Sequence, residues 1–188
     1  MVVAGLTGGI GAGKSTFAAL LGDMGAYVID VDAIGRDVIA PGSLGGEDVK
    51  ARFGTTDRRV LAGIVFSDPR ARKDLESISW PLIEQRLREL VARPVADVVV
   101  LDMAVLPQGL GRGIYGPVIT VEAPEQVRLA RLVARGMEER DAAARMRSQV
   151  SELDRRAIAD FVVINDASME SLTAEARTVL RALQALAR

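Results

Sequence analysis

The stretch Gly8-Gly9-Ile10-Gly11-Ala12-Gly13-Lys14-Ser15 follows the apolar run Val2-Val3-Ala4-Gly5-Leu6 and runs into Thr16-Phe17-Ala18-Ala19-Leu20-Leu21. It is a complete Gly-x4-Gly-Lys-Ser phosphate loop in the strand-loop-helix context that gives the motif its meaning. Glycines let the backbone fold into a nest of N–H groups aimed at phosphate oxygens, and a helix N-terminus adds further donors and partial positive charge. Gly9, Ile10, Gly11, Ala12, Gly13, Lys14, Ser15 and Thr16 are therefore read as holding a nucleoside triphosphate. In this reading Lys14 reaches the β- and γ-phosphates, and the Ser15 hydroxyl is offered to Mg2+.

Carboxylates supply the second half of a phosphoryl-transfer site. Transfer to a hydroxyl needs an acidic side chain to orient the acceptor and take its proton. Asp30-Val31-Asp32 ends the second apolar run, and strand alternation would send both carboxylates to one side if the strand persists that far. Asp32 is the first choice for the base; the competing reading makes it the N-cap of a helix starting at Ala33. Asp30 is read as supporting the metal or holding the acceptor. Val98-Val99-Val100-Leu101-Asp102 is an apolar strand ending in a carboxylate, and Asp102 is read either as a contact to Mg2+ or substrate or as an ordinary strand-end acid. Between 128 and 156 lie eight arginines, among them Arg128, Arg131, Arg135, Arg145 and Arg155. Each taken singly reads as a solvated helix residue in a salt bridge; as a set they suit a mobile lid that closes over polyphosphate.

These side chains need a scaffold. Short apolar runs alternate with longer amphipathic ones, the pattern of a parallel sheet covered on both faces. The expected strands are near 2–6, 26–29, 97–101, 117–121 and 161–164, and the expected helices near 14–23, 32–39, 124–134, 138–149 and 169–187. Between the second and third strands, residues 40–93 read as a helical sublobe, with Pro41 to Gly46 flexible and with Asp68-Pro69 and Trp80-Pro81 as breaks or helix starts. With only 4% aromatic residues, the core must be built from Val, Leu, Ile and Ala. The chain has neither cysteine nor histidine, which excludes disulfides, thiol catalysis, the usual zinc sites and a histidine base. A formal charge of −1 gives no global field for nucleic acid or an anionic membrane, so anion binding must be local. Guanine-specific switches use an Asn/Thr-Lys-x-Asp element, which none of Lys14, Lys50 and Lys73 provides. No basic segment precedes the first apolar run, and Val95 to Leu106 is too short and too interrupted by Asp97 and Asp102 to span a bilayer, so the expected place is the cytoplasm.

Taken together, several stretches resemble the dephospho-CoA kinase family. They are Leu6 to Thr16, Val28 to Arg36, Val65-Phe66-Ser67-Asp68-Pro69, Leu75-Glu76-Ser77-Ile78 before a proline, Arg145 with Gln149, and Ala159 to Asn165, in family order across nearly the whole chain. The resemblance implies an α/β fold of the P-loop kinase kind, a five-stranded parallel sheet with helices on both faces, plus a helical insertion and a lid. It divides the chain into a nucleotide-binding core (1–39, 94–136 and 158–188), an acceptor-side helical subdomain (40–93) and a lid (137–157). It implies transfer of the ATP γ-phosphate to the 3'-hydroxyl of dephospho-CoA, with Asp32 as base, Arg36 on the acceptor, Arg145 and Arg135 as lid residues near phosphate, and Asn165 beside the adenine. ATP and dephospho-CoA are then the partners of a monomer or small homo-oligomer. The chain departs from the family pattern at Trp80-Pro81, where His-Pro is usual, at Ala104 to Gln108, and at Arg135-Gly136. Those departures keep open a kinase for another small acceptor, or a nucleotide-binding regulator without turnover.

Overall fold

The computed structural model describes residues 1–93, 95–104, 110 and 113–187. Its five strands are β1 (Val2–Gly8), β2 (Tyr27–Asp30), β3 (Val98–Asp102), β4 (Val118–Glu122) and β5 (Phe161–Ile164), in the order β2-β3-β1-β4-β5. The sheet is parallel throughout, with Val2 opposite Val98 and Leu6 opposite Asp102 on one side of β1, and Gly5 opposite Val118 on the other. Buried on both faces, these strands read as continuous apolar runs rather than alternating ones. The segment after β1 lies where the strand order reverses, the place where ligands bind in open parallel sheets.

Helices α1 (Lys14–Asp23), α6 (Glu125–Ala134), α7 (Glu139–Ser148), α8 (Glu152–Ala157) and α9 (Met169–Leu186) belong to the same compact unit, Met1–Ile29 with Pro94–Arg188. Its core joins Leu6, Phe17, Leu21, Val100, Ile119, Val121 and Val163 to the α9 stripe Leu172, Ala176, Val179, Leu180 and Leu183. Phe17, fully buried, is the single aromatic at its centre. Leu186, in the last turn of α9, is exposed. The α8 helix was not anticipated from sequence.

The second unit, Asp30–Arg93, is helical: α2 (Val31–Val38), α3 (Leu44–Phe53), α4 (Arg58–Ser67) and the long α5 (Pro69–Val91). Ser43, Asp57 and Asp68 cap the last three through their side-chain oxygens, so Asp68-Pro69 is a helix start, with Pro at the first position where its missing N–H costs nothing. Two expectations are corrected. The second half of Pro41 to Gly46 is helix rather than a flexible stretch, because Leu44 opens α3 and Gly45 and Gly46 are buried in its first turn, where a Cβ on Gly46 would fall 2.0 Å from the Ala40 carbonyl oxygen. Trp80-Pro81 is not a break: α5 runs through it, because Ala71, Ser79, Ile83 and Leu87 form one buried face on both sides of the proline and their packing outweighs its roughly 3 kcal/mol helix penalty. Trp80 itself is half-buried. No helix among the described residues is long and apolar enough to cross a membrane.

Candidate active site

The phosphate loop leaves the buried end of β1 and enters α1 at Lys14. Gly13 is the N-cap residue of α1 with φ 100°, a left-handed conformation open to glycine at little cost. It provides no side-chain cap, and the first turn of α1 holds no acidic residue. The first N–H groups of a helix lack intrahelical partners and carry positive partial charge. Helices α2 to α5, α8 and α9 satisfy theirs with Ser or Asp, and α6 and α7, also without a side-chain cap, carry acidic residues in the first turn; α1 has neither and leaves its N–H groups for an external anion. The loop lines a cavity of about 270 Å³ together with Ser15, Thr16, Ala104, Arg135 and Gln149. Lys14 Nζ is paired with Asp102 Oδ1 at the end of β3, both side chains about one-sixth exposed. The structure thus brings together Gly9 to Thr16, Lys14 and Asp102.

Behind the loop stands a set of side chains that hold its carbonyl groups. Asn165, buried just after β5, donates from Nδ2 to the Ala12 carbonyl at 2.8 Å. Arg131 of α6 reaches Ala12 at 3.3 Å and the Asn165 amide oxygen at 3.5 Å. Gly13 has no room for a side chain, since a Cβ there would meet Asn165 Nδ2 at 2.1 Å. Arg128 donates from Nε to the Ile10 carbonyl at 2.9 Å. Burial is the main reason its guanidinium is held below its ordinary pKa, and the neighbouring charge of Arg155 adds to it.

The solvated reading of the arginines fails at two positions. Arg128 and Arg155 are 7% and 6% exposed. Arg155 grips Glu122, itself fully buried, through Nε to Oε1 at 2.7 Å and Nη2 to Oε2 at 2.6 Å, and donates from Nη1 to the Val150 carbonyl. Thr120 donates to the same Glu122 oxygen at 2.6 Å. The strand β4 delivers Glu122 at its C-terminal end, and α8 forms where Arg155 can meet it. A buried carboxylate in an otherwise apolar strand was the available signal, because such a charge is almost never left unpaired.

The acidic pair behaves differently from a strand alternation. β2 stops at Asp30 and α2 begins at Val31. The N-cap is Asp30, which accepts from Ala33 N–H at 2.7 Å, so the capping role weighed for Asp32 belongs to its neighbour. Asp32 is exposed in the first turn of α2. Arg36, one turn further on, pairs with Asp30 at 3.3 Å. Arg145 is exposed near the end of α7, while Arg135 is the arginine that borders the loop cavity. Of the segment Ala104 to Gln108, residues 105–108 lie outside those described.

Comparison with known proteins decides between the kinase readings. Residues 2–171 match the family profile described as Dephospho-CoA kinase. The chain belongs to the dephospho-CoA kinase family. A dephospho-CoA kinase of Frankia casuarinae is 43% identical over 194 residues, spanning 98% of this chain and 85% of its own. One of Streptomyces avermitilis is 44% identical over 182 residues, spanning 92% and 89%. A solved structure from Thermus thermophilus superposes with a TM-score of 0.86 at 35% identity, covering 97% of both chains. Dephospho-CoA kinases move the γ-phosphate of ATP to the 3'-hydroxyl of dephospho-CoA, the last step of coenzyme A synthesis, and this chain is such an enzyme. The readings as a kinase for a different acceptor or as a regulator without turnover are set aside. Trp80-Pro81 and Arg135-Gly136 are departures within the family, not from it.

Proposed function

We propose that the residues of this dephospho-CoA kinase divide the work as follows. The loop N–H groups and the open N-terminus of α1 bind the β- and γ-phosphates, and Lys14 leaves Asp102 to follow charge onto the transferred group. The observation that carries this reading is an uncapped helix N-terminus with Lys14 and Asp102 beside it. Asp32 orients the acceptor 3'-hydroxyl and accepts its proton, and Asp30 keeps Arg36 extended toward the acceptor. Arg135 and Arg145 meet charge that develops on the phosphoryl group, and Asn165, already committed to the Ala12 carbonyl, fixes the loop wall nearest the base of ATP. The 40–93 helices take the acceptor and 137–157 act as the lid.

The donor set also fits Mg2+. Among the described residues there is no cluster of three acids to cage a metal, and Mg2+ characteristically keeps waters and takes phosphates with one or two protein oxygens. Ser15, whose residue is exposed at the start of α1, and Asp102 are oxygens of that kind. When bound, the ion neutralises phosphate charge. We further read the enzyme as a cytoplasmic monomer or small homo-oligomer acting on ATP and dephospho-CoA.

One assay tests the reading: purified protein with Mg-ATP and a panel of hydroxyl acceptors, following ADP release. Release should depend on dephospho-CoA and vanish with a chelator. Equal release with nucleoside monophosphates would sink the acceptor assignment, and turnover that survives chelation would sink the metal.

A further inference from the structure

A closed ring of hydrogen bonds joins the crest of the phosphate loop to the end of α7. Ile10 N–H donates to Gln149 Oε1 at 2.8 Å, the Ile10 carbonyl accepts from Arg128 Nε at 2.9 Å, and Arg128 Nη2 donates to the same Gln149 oxygen at 3.3 Å. Both polar groups of Ile10 are therefore held by two side chains that hold each other. Since a backbone N–H and a guanidinium can only donate, Gln149 must present its oxygen, and its orientation is settled by chemistry.

Arg128 is an expensive residue to keep there. It is buried, and among the described residues no carboxylate forms a direct ion pair with it, Glu122, Glu152 and Glu125 acting on its charge only from farther off. A buried charge without a counter-ion is disfavoured unless its hydrogen bonds have a use. The loop has made way for it: a Cβ on Gly9 would fall 2.6 Å from the guanidinium carbon. Gln149 is at the same time the C-cap residue of α7, with extended backbone at φ −82° and ψ 161°. It lines the loop cavity together with Arg135, which precedes α7. Both ends of the segment carrying Arg140, Arg145 and Arg147 thus border the place where phosphate is read to sit.

We propose that Arg128 and Gln149 are positioning residues of the kinase: their ring makes the Ile10 peptide and the end of α7 one unit, so that shaping the loop and presenting the α7 arginines are a single event. This rests on the loop being the ATP phosphate site. Neither residue is required to touch the reacting atoms.

The test compares Gln149→Leu, Gln149→Glu, Arg128→Leu and the double Leu variant by steady-state kinetics, Tm and limited trypsin digestion at the α7 arginines. Gln149→Leu should lower kcat by about tenfold to a hundredfold, the scale of a small misplacement, with the ATP KM within about threefold and with faster cutting in α7. Gln149→Glu keeps an oxygen for both donors, so kcat and trypsin resistance should return, while its charge beside phosphate raises the ATP KM by about tenfold. The double variant should be no worse than its worse parent within about twofold, because partners in one network are not additive. The proposal is overturned by a Gln149→Leu enzyme with wild-type kcat and unchanged cutting. It is equally overturned if the Leu and Glu variants lose kcat alike in step with Tm, the mark of a purely structural role. Should Arg128→Leu not fold, the two Gln149 variants still decide. Failure of the functional reading looks different, since the wild-type protein would then show no dephospho-CoA-dependent turnover while trypsin still reported the ring.

Discussion

Asp32 shows how one carboxylate can change meaning between sequence and structure. In the sequence it competes with its own role as a helix cap, and in the structure Asp30 takes the cap and leaves Asp32 in the first turn of α2. There its negative charge is favoured by the helix dipole. The assignment as base predicts that Asp32→Asn binds ATP as the wild type does and loses about a hundredfold or more in kcat, the usual worth of a general base. Near-normal turnover in that variant would move the role to another residue. The shape of the phosphate loop was legible because it is set locally, by glycines at fixed spacing between β1 and the start of α1 at Lys14. Arg128 was not legible, because its partners are Ile10 and Gln149, the first of them more than a hundred residues away in the chain.

At the scale of elements, periodicity found the strands and helices α1, α2, α6, α7 and α9 to within two residues, as at β5 and α1, while for 40–93 it gave helical character without the bounds of α3, α4 or the long α5. It missed α8, whose six residues carry little apolar pattern and are tied to the sheet by Arg155 on Glu122. Glu122→Gln would leave Arg155 buried without its counter-ion, a loss of about 3–5 kcal/mol. For a chain of this size that corresponds to a Tm lower by roughly 6–20 °C, which differential scanning calorimetry would read; a shift under a few degrees would mean the pair is not a structural anchor. Pro81 makes the opposite prediction. It is exposed within a continuous α5, so Pro81→Ala should stabilise by roughly 1–3 kcal/mol in chemical denaturation with kcat unchanged. A destabilised variant would show that the ring itself is packed.

Across the whole molecule, the chain is two compact units whose sequence signals are of different kinds. In the α/β unit the readable signals are the glycine-rich loop and the apolar strands that end in Asp102 and Glu122. The helical unit shows good capping signals at Ser43, Asp57 and Asp68, but its packing depends on glycines at 45 and 46 whose tight contacts no local pattern announces. Ligand linkage should be visible on this scale: ATP at a hundred times its dissociation constant should stabilise the folded protein by about 2.7 kcal/mol. Lys14→Met should abolish most of that gain in a thermal shift, and an undiminished shift would place the nucleotide elsewhere. The uneven distribution of aromatic residues has one more use. Trp80 is the chain's single tryptophan, half-buried on α5 within Asp30–Arg93. Selectively excited indole emission is therefore a native optical label for the helical unit alone. With no cysteine anywhere in the chain, a single thiol placed on α7 could carry a second dye without any background to remove, so that events in the two units can be timed separately in one sample.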